Sequence, residues 1–596
     1  MVSQYYFTQV RRAHLISPFG SGALQLSQNG VCAITCGPPI WLESLKAMDV
    51  VAASAIFENQ TIRDSHMERP LGVNRLIAPW PVASDNPGPQ SDWFVPAARF
   101  PLYEYCINHS CRTLHRKDAS ERDIGRCDHC TTGKKRKWQT VQVPVVLACV
   151  DGHLADVPWS RWLHETEGPD CAYPDDLQFF PGSLPDQPQV LCRSCKRRRT
   201  LNGGEDSFVC GGERPWIPGL PPEGCGLAAR VMERTSTAVY YPNTVSSLAV
   251  PQPGVDNPAL VQKLHSSSAI RSQRRTYAAG GSDSSIDEIV HLCAQLGVRT
   301  DAEQVKRHLV ALDVDRDEAE DRPQELTALL MNRPRPHDGY GLPDLIVEPQ
   351  DMAAYGPDPI ISVLSAVSLV PRLREVRVLT GFNRVNPGDA AQSVNYEQLW
   401  GRSMPERIAE EERTGWLPAY EVFGEGILLQ LDDAVVTRWE HGISDIAASR
   451  PIGQHGKPRA FLVHTLAHMV MRAAAPYAGY PLPSLRERIY DTDDRLAFLV
   501  YTSAGDIQGT LGGLVELGRP GRLESLMREA VDRVRWCTTD PVCIEGSIEL
   551  GLSDTTLAGA CHHCLLLPET SCERRNRNLD RATIVGVSGR GGLPGI

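Results

Sequence analysis

No GxxxxGK[ST] run occurs anywhere in the 596 residues, so the backbone cradle and lysine that hold nucleotide phosphates are not offered. No apolar stretch approaches the ~18–20 residues that a bilayer span needs. The opening MVSQYYFTQVRRAHLI lacks the basic-then-apolar order of a secretion signal. These two absences lead us to expect a cytoplasmic protein in a reducing compartment, with no membrane partner. Net positive charge is also absent: the formal balance is −11, so contact with nucleic acid must rely on local basic patches. Two catalytic phrases begin and fail. His464-Thr465-Leu466-Ala467-His468 has the spacing of a zincin but Thr465 where the general base belongs. His115-Arg116-Lys117 starts like an HxK nuclease, but Arg122 stands where the aspartate should be and Asp123 comes one residue late.

What the chain does have is cysteine, 18 in all. In a reducing compartment, clustered thiols favour metal over disulfides. Hydrophobic content of 42% and charged content of 22% describe an ordinary globular protein, and 49 glycines with 45 prolines imply many turns. The length exceeds what one core supports. We expect a mixed α+β, multidomain protein with zinc-ribbon-like insertions and a C-terminal α/β zinc-binding domain. The expected divisions are an N-terminal segment at 1–100, a double ribbon or knuckle region at 101–235, a mixed α/β region at 236–450 and a C-terminal domain at 451–596.

Three thiol groupings follow from spacing. Cys106 and Cys111 precede Cys127 and Cys130 by about fifteen residues, the arrangement of a zinc ribbon, with His109, His115 and His129 as substitutes. Cys192 and Cys195 form a CxxC, and Cys210 and Cys225 complete a second expected set. Near the C-terminus Cys561 and Cys564 form another CxxC, with Cys543 and Cys572 as the economical second half. Cys537, at the end of an expected helix, is an alternate ligand or a neighbouring free thiol. Four ligands and no open position make each a structural Zn²⁺ site. Cys149 and His153 read as a core thiol and a turn histidine, and Cys32 and Cys36 stay unassigned. His464 and His468 lie on one face of an apolar helix that Pro476 stops, and read as core or interface histidines. Ser484 and Glu487 have capping-box spacing, which predicts a helix over SLRERIY. Residues 523–536 have the apolar period of an amphipathic helix.

Basic residues gather beside the expected zinc turns. Lys134, Lys135, Arg136 and Lys137 precede Trp138; Arg197 and Arg198 follow the second CxxC; Arg574, Arg575 and Arg577 follow Cys572. Cations beside an aromatic ring suit phosphate contact with base stacking. The glycine loop at Gly20 and Gly22 reads as a structural turn, and no signature of chemistry stands in the middle of the chain.

The ending CHHCLLLPETSCERRNRNLDR resembles a helicase-associated zinc-binding domain at Cys561, Cys564, Cys572, Asn576, Leu579, Asp580 and Arg581. The Arg11-Arg12 pair before the glycine loop, and Cys149, Gly152-His153 and Pro158-Trp159 after the first ribbon, are similar to the DrmB family of the DISARM anti-phage system. That resemblance implies a non-motor, zinc-binding partner of a helicase, not an enzyme. It would form a heterodimer that helps engage phage DNA, single-stranded or end-containing, with little sequence preference. Two other classes compete: a metal-dependent hydrolase or nuclease using His464 and His468, and a scaffold that touches only protein.

Overall fold

Short strands bounded by Gly, Pro and Asn turns dominate the first half of the chain, whereas long apolar periods appear only towards its end. The computed structural model describes residues 6–9, 12–26, 30–46, 56–57, 59–62, 64–68, 70–73, 75–80, 94–121, 125–130, 138–165, 171–182, 187–202, 207–248, 260, 264, 268–278, 282–313, 318–331, 344–387, 395–401, 415–447, 450, 458–492, 494–502, 512–545, 559–568, 571–587 and 591–593. They fall into two compact units, Met1–Ser246 with Arg377–Tyr420, and Ser247–Val376 with Glu421–Ile596.

The first unit contains a four-stranded antiparallel sheet in the order Tyr6–Gln9, Phe94–Arg99, Cys32–Thr35, Leu24–Leu26. Three further antiparallel sheets follow it. In the first, Tyr103–Cys106 lies between Leu114–Arg116 and Thr140–Gln142. The second runs Leu177–Phe180, Gln189–Cys192, Arg198–Thr200, and the third Leu154–Ala155, Val145–Cys149, Ala228–Glu233, Phe208–Val209. Sheets this small bury little apolar surface and need another source of stability. Part of it is aromatic: Trp41, Trp80 and Trp416 meet with ring centroids 5.7–6.1 Å apart.

A buried cation organises this unit. Arg384 is 1% exposed and donates through Nε to the Gly152 carbonyl at 2.7 Å and through Nη2 to Gly22 at 2.8 Å. Its Nη1 donates to the Val239 carbonyl, and the guanidinium lies 4.6 Å from the Phe382 ring centroid. Burial lowers Arg384 to about 9, which still leaves it charged at neutral pH. Gly22 and Gly152 have φ of +87° and +86°, and a Cβ would lie 2.6 Å from Phe382 in the one and 2.2 Å from Gln398 in the other. The glycine loop is therefore a packing turn gripped by an arginine. Arg384→Met keeps the aliphatic bulk but strands three carbonyls. At about 1–3 kcal/mol for each unsatisfied buried group, a loss of roughly 3 kcal/mol or more is expected; an unchanged melting temperature would refute it.

In the second unit, helices Ser268–Ala278, Ser284–Gln295 and Ala302–Asp313 share a small core around Ile270, Ile289 and Val305. Strand Leu496–Thr502 pairs antiparallel with residues Gly426 to Gln430 on one side and with Leu485–Asp491 on the other. Helix Pro458–Ala478 is buried on nearly all sides and packs with Leu523–Arg535 into the main core. Two local expectations fail here. Pro476 does not stop the helix, which continues to Ala478 and ends where Gly479 takes a φ of +75°. SLRERIY is not a helix either: Leu485–Asp491 is a strand, with Leu485, Glu487 and Ile489 alternating on one face. Pairing along its whole length with Leu496–Thr502 outweighs the capping-box signal. Among the described residues no helix is long and apolar enough to cross a membrane.

Candidate metal centres

Every cysteine except Cys32, Cys36 and Cys293 falls into one of five groups of four donors, with the ligand atoms of each group within 4.8 Å of one another. Three groups lie in the first unit and two in the second. None of the cysteines is in a disulfide.

Cys106 ends the strand Tyr103–Cys106, and Cys111 follows on the turn back to Leu114–Arg116. Cys127 and Cys130 come from the next turn. Cys106 and Cys130 Sγ atoms are 3.7 Å apart, and so are those of Cys111 and Cys127. Tetrahedral Zn²⁺ with Zn–S near 2.3 Å places its sulfurs about 3.8 Å apart, so the spacing fits that ion. His115 Nε2 lies 3.2 Å from Cys127 Sγ, beside the four thiols. Cysteines alone form the apolar cluster at this place.

Cys192, Cys195, Cys210 and Cys225 do not form one set. Strand pairing divides them. Cys192 ends the central strand Gln189–Cys192 of one small sheet and Cys195 sits on its hairpin turn, where they meet His164, the last residue of helix Trp159–His164, and Cys171. Cys171 and Cys192 Sγ atoms are 3.6 Å apart, and His164 Nε2 is 3.5 Å from Cys195 Sγ. His164 Nδ1 donates to the Ser160 carbonyl at 2.7 Å, which leaves the Nε2 lone pair facing the sulfurs. Cys210 and Cys225 instead meet Cys149 and His153, the pair read as a core thiol and a turn histidine. Cys149 and Cys225 Sγ atoms are 3.8 Å apart. His153 Nδ1 is buried with no hydrogen-bond partner, and burial pushes the ring towards its neutral form, which can ligate a metal. The turn carrying Cys149 and His153 is the one that Arg384 grips at Gly152.

In the second unit Cys537, not Cys572, joins Cys543, Cys561 and Cys564. Cys537 lies 3.4 Å from Cys561, and Cys564 lies 3.7 Å from both Cys543 and Cys561. The chain leaving helix Leu523–Arg535 carries Cys537 into this centre. Cys572 faces another way, towards His464, His468 and Glu487.

The thiols are tuned unevenly. Burial raises Cys111, Cys171 and Cys561, yet hydrogen bonds outweigh it and bring each down to about 7. Burial pushes Cys192 up to about 11 and Cys210 to about 12. Such clusters cannot ionise fully without a cation among them, and Zn²⁺ supplies that charge.

The remaining motif residues hold the C-terminal loop together. Asn576 Oδ1 accepts from the Leu567 amide at 2.9 Å and Nδ2 donates to its carbonyl at 2.8 Å. Asp580 takes a bidentate pair from Arg450 at 2.6 and 2.8 Å, and Leu579 is fully buried. Of the basic residues, Lys134, Lys135, Arg136 and Lys137 lie outside the described residues. Trp138 is 38% exposed, and its carbonyl accepts from the Cys127 amide. Arg198 is exposed at the hairpin that carries Cys195, and Arg197 is half-buried there. Arg574 donates to the Ala460 carbonyl, Arg575 has a φ of +51°, and Arg577 is exposed.

Buried tetrads of soft donors define a zinc-binding protein. Residues 466–565 match the MrfA Zn-binding domain, and residues 11–241, which carry all three groups of the first unit, match a domain of unknown function, DUF8724. Over 534 residues the chain is 25% identical to DISARM protein DrmB of Bacillus paralicheniformis, covering 82% of this chain and 89% of that protein. The resemblance to the DrmB family, read from the cysteine-rich ending and the arginine–glycine opening, is borne out.

Proposed function

We propose that this chain is the non-motor, zinc-binding subunit of a DISARM-type anti-phage system, which associates with the system's helicase and helps it engage phage DNA. The observation that carries this reading is the likeness, over most of its length, to a protein named as a DISARM component. The site chemistry is in keeping with it. In this reading four zinc ions are held: by Cys106, Cys111, Cys127 and Cys130; by Cys149, His153, Cys210 and Cys225; by His164, Cys171, Cys192 and Cys195; and by Cys537, Cys543, Cys561 and Cys564. Each has four protein donors and no open position, the mark of structural rather than catalytic zinc. A hydrolase built on His464 and His468 is disfavoured, because both rings are fully buried and offer a substrate no approach.

DNA contact is proposed at Lys134, Lys135, Arg136, Lys137 and Trp138, at Arg197 and Arg198, and at Arg574, Arg575 and Arg577. The first segment leaves Cys130 and returns at Trp138, so a zinc centre holds both of its ends. Binding through such patches releases counterions and weakens steeply with salt. Charge reversal at all four residues from Lys134 to Lys137, in the chain with its helicase, is expected to weaken single-stranded DNA binding tenfold or more. The log–log salt slope should fall by up to roughly 3, with zinc content unchanged. Unaltered affinity after reversal of all three patches would favour the scaffold that touches only protein.

A further inference from the structure

The geometry points to a further divalent-metal site, formed by His464 Nε2, His468 Nε2, a carboxylate oxygen of Glu487 and the Cys572 thiolate, in which zinc ties three parts of the second unit together. Two of the four donors, His464 and Cys572, lie outside the span that matches the MrfA Zn-binding domain. The inference does not depend on the defence reading above.

The donors come from three elements. His464 and His468 stand one turn apart on helix Pro458–Ala478, with ring centroids 4.5 Å apart. Glu487 points from the core-facing side of strand Leu485–Asp491, between Leu485 and Ile489, and Cys572 comes from the loop after Ser571. His464 Nε2 is 2.8 Å from Glu487 Oε1 and 3.2 Å from Cys572 Sγ, and His468 Nε2 is 3.3 Å from Glu487 Oε2. Around a tetrahedral zinc, mixed N, O and S donors stand roughly 3.3–3.6 Å apart. A modest opening of the site accommodates the ion.

Three observations favour a metal over a plain polar cluster. First, both anionic donors receive backbone N–H groups: Asn576 donates to Cys572 Sγ at 3.0 Å and Glu573 to Glu487 Oε1 at 3.2 Å. Such bonds favour the charged forms of both groups once a divalent cation is present to cancel the two negative charges. Glu487 Oε2 is meanwhile buried with no hydrogen-bond partner. Second, His468 Nδ1 lies 3.0 Å from the Leu565 carbonyl, so it carries the proton and presents the Nε2 lone pair inwards. Third, the arrangement is not a Cys–His–Glu relay. A relay needs the thiol and the carboxylate on opposite ring nitrogens, whereas here both face Nε2 of His464. Loading releases one proton net, from the Cys572 thiol to solvent; the His464 proton that bonds Glu487 Oε1 moves from Nε2 to Nδ1 to free the ligating lone pair, and no redox step is involved.

Zinc suits this donor set, borderline in softness, and all four protein ligands close it to solvent. Leu565 follows Cys564, so the His468 contact joins this centre to the four-cysteine centre beside it. The ion pins the loop that carries Asn576 and Asp580 onto the helix and strand.

The full chain loaded with ¹¹³Cd²⁺ in place of zinc tests the site by NMR. The expected spectrum has five resonances in three shift classes, two S₄, two S₃N and one mixed SN₂O. A spectrum whose resonances all fall in the S₄ and S₃N classes overturns the proposal. Metal analysis of Cys572→Ser and of His468→Gln should each show one equivalent fewer than the unaltered chain; unchanged content overturns it too. If either variant fails to fold, the cadmium spectrum of the unaltered chain still decides.

Discussion

Cys561→Ser and Cys564→Ser are each expected to unfold the second unit while the three groups of the first unit keep their zinc. The four cysteines of this centre are at most 8% exposed and are continuous with the main core, alongside Leu565, Leu579 and Val534. Removing one ligand strands the remaining thiols in an apolar surround. Structural zinc sites contribute about 10–16 kcal/mol of apparent binding free energy. A whole domain is stable by only about 5–15 kcal/mol, so the loss of one site can consume all of it. Loss of the corresponding thermal transition, with one or two zinc equivalents released, is the expected readout. A variant that melts at the original temperature with full zinc content would show that this cluster holds no structural metal.

The second large effect distinguishes the tertiary grouping in the first unit from the one that spacing suggests. His164→Ala and Cys171→Ser should each release one zinc, and the double variant should release the same one, because both belong to a single centre with Cys192 and Cys195. His153→Ala and Cys149→Ser should behave in the same way for the centre containing Cys210 and Cys225. Substitutions in one centre are strongly non-additive, since the second ligand is worth little once the metal is gone. Combining His164→Ala with His153→Ala should therefore release two zinc ions. If neither histidine nor Cys171 matters to zinc content, Cys192, Cys195, Cys210 and Cys225 form a single site and the division into two centres is wrong.

The expected single site misled for a definite reason. Cys192 and Cys195 are a half-site because a tight turn directs two thiols the same way, a property of four residues. Nothing local says which half-site completes it. Cys171 had no neighbouring thiol to mark it, and His164 closed an amphipathic phrase in which a histidine is unremarkable. The Cys149–His153 spacing was visible, but a partner pair stood more than fifty residues away, brought close only because Val145–Cys149 and Ala228–Glu233 pair in register. The period-two placement of Leu485 and Ile489 on either side of Glu487 was the available sign that Glu487 shares their core-facing side beneath the two histidines. The capping-box spacing concealed it.

Short-range chemistry was legible in the chain alone: the CxxC turns, the first cysteine ribbon's spacing, the amphipathic helix Leu523–Arg535, the lack of a nucleotide cradle and the DrmB-like ending. Those features depend on residues within a turn or two of each other, where backbone geometry alone sets the distances. Partner choice among half-sites, the exchange of Cys572 for Cys537, and the meeting of His464, His468 and Glu487 with Cys572 depend on strand register and helix packing across sequence separations of up to 108 residues. Register and packing are settled by the burial of whole faces at once, so no single stretch of residues carries that information.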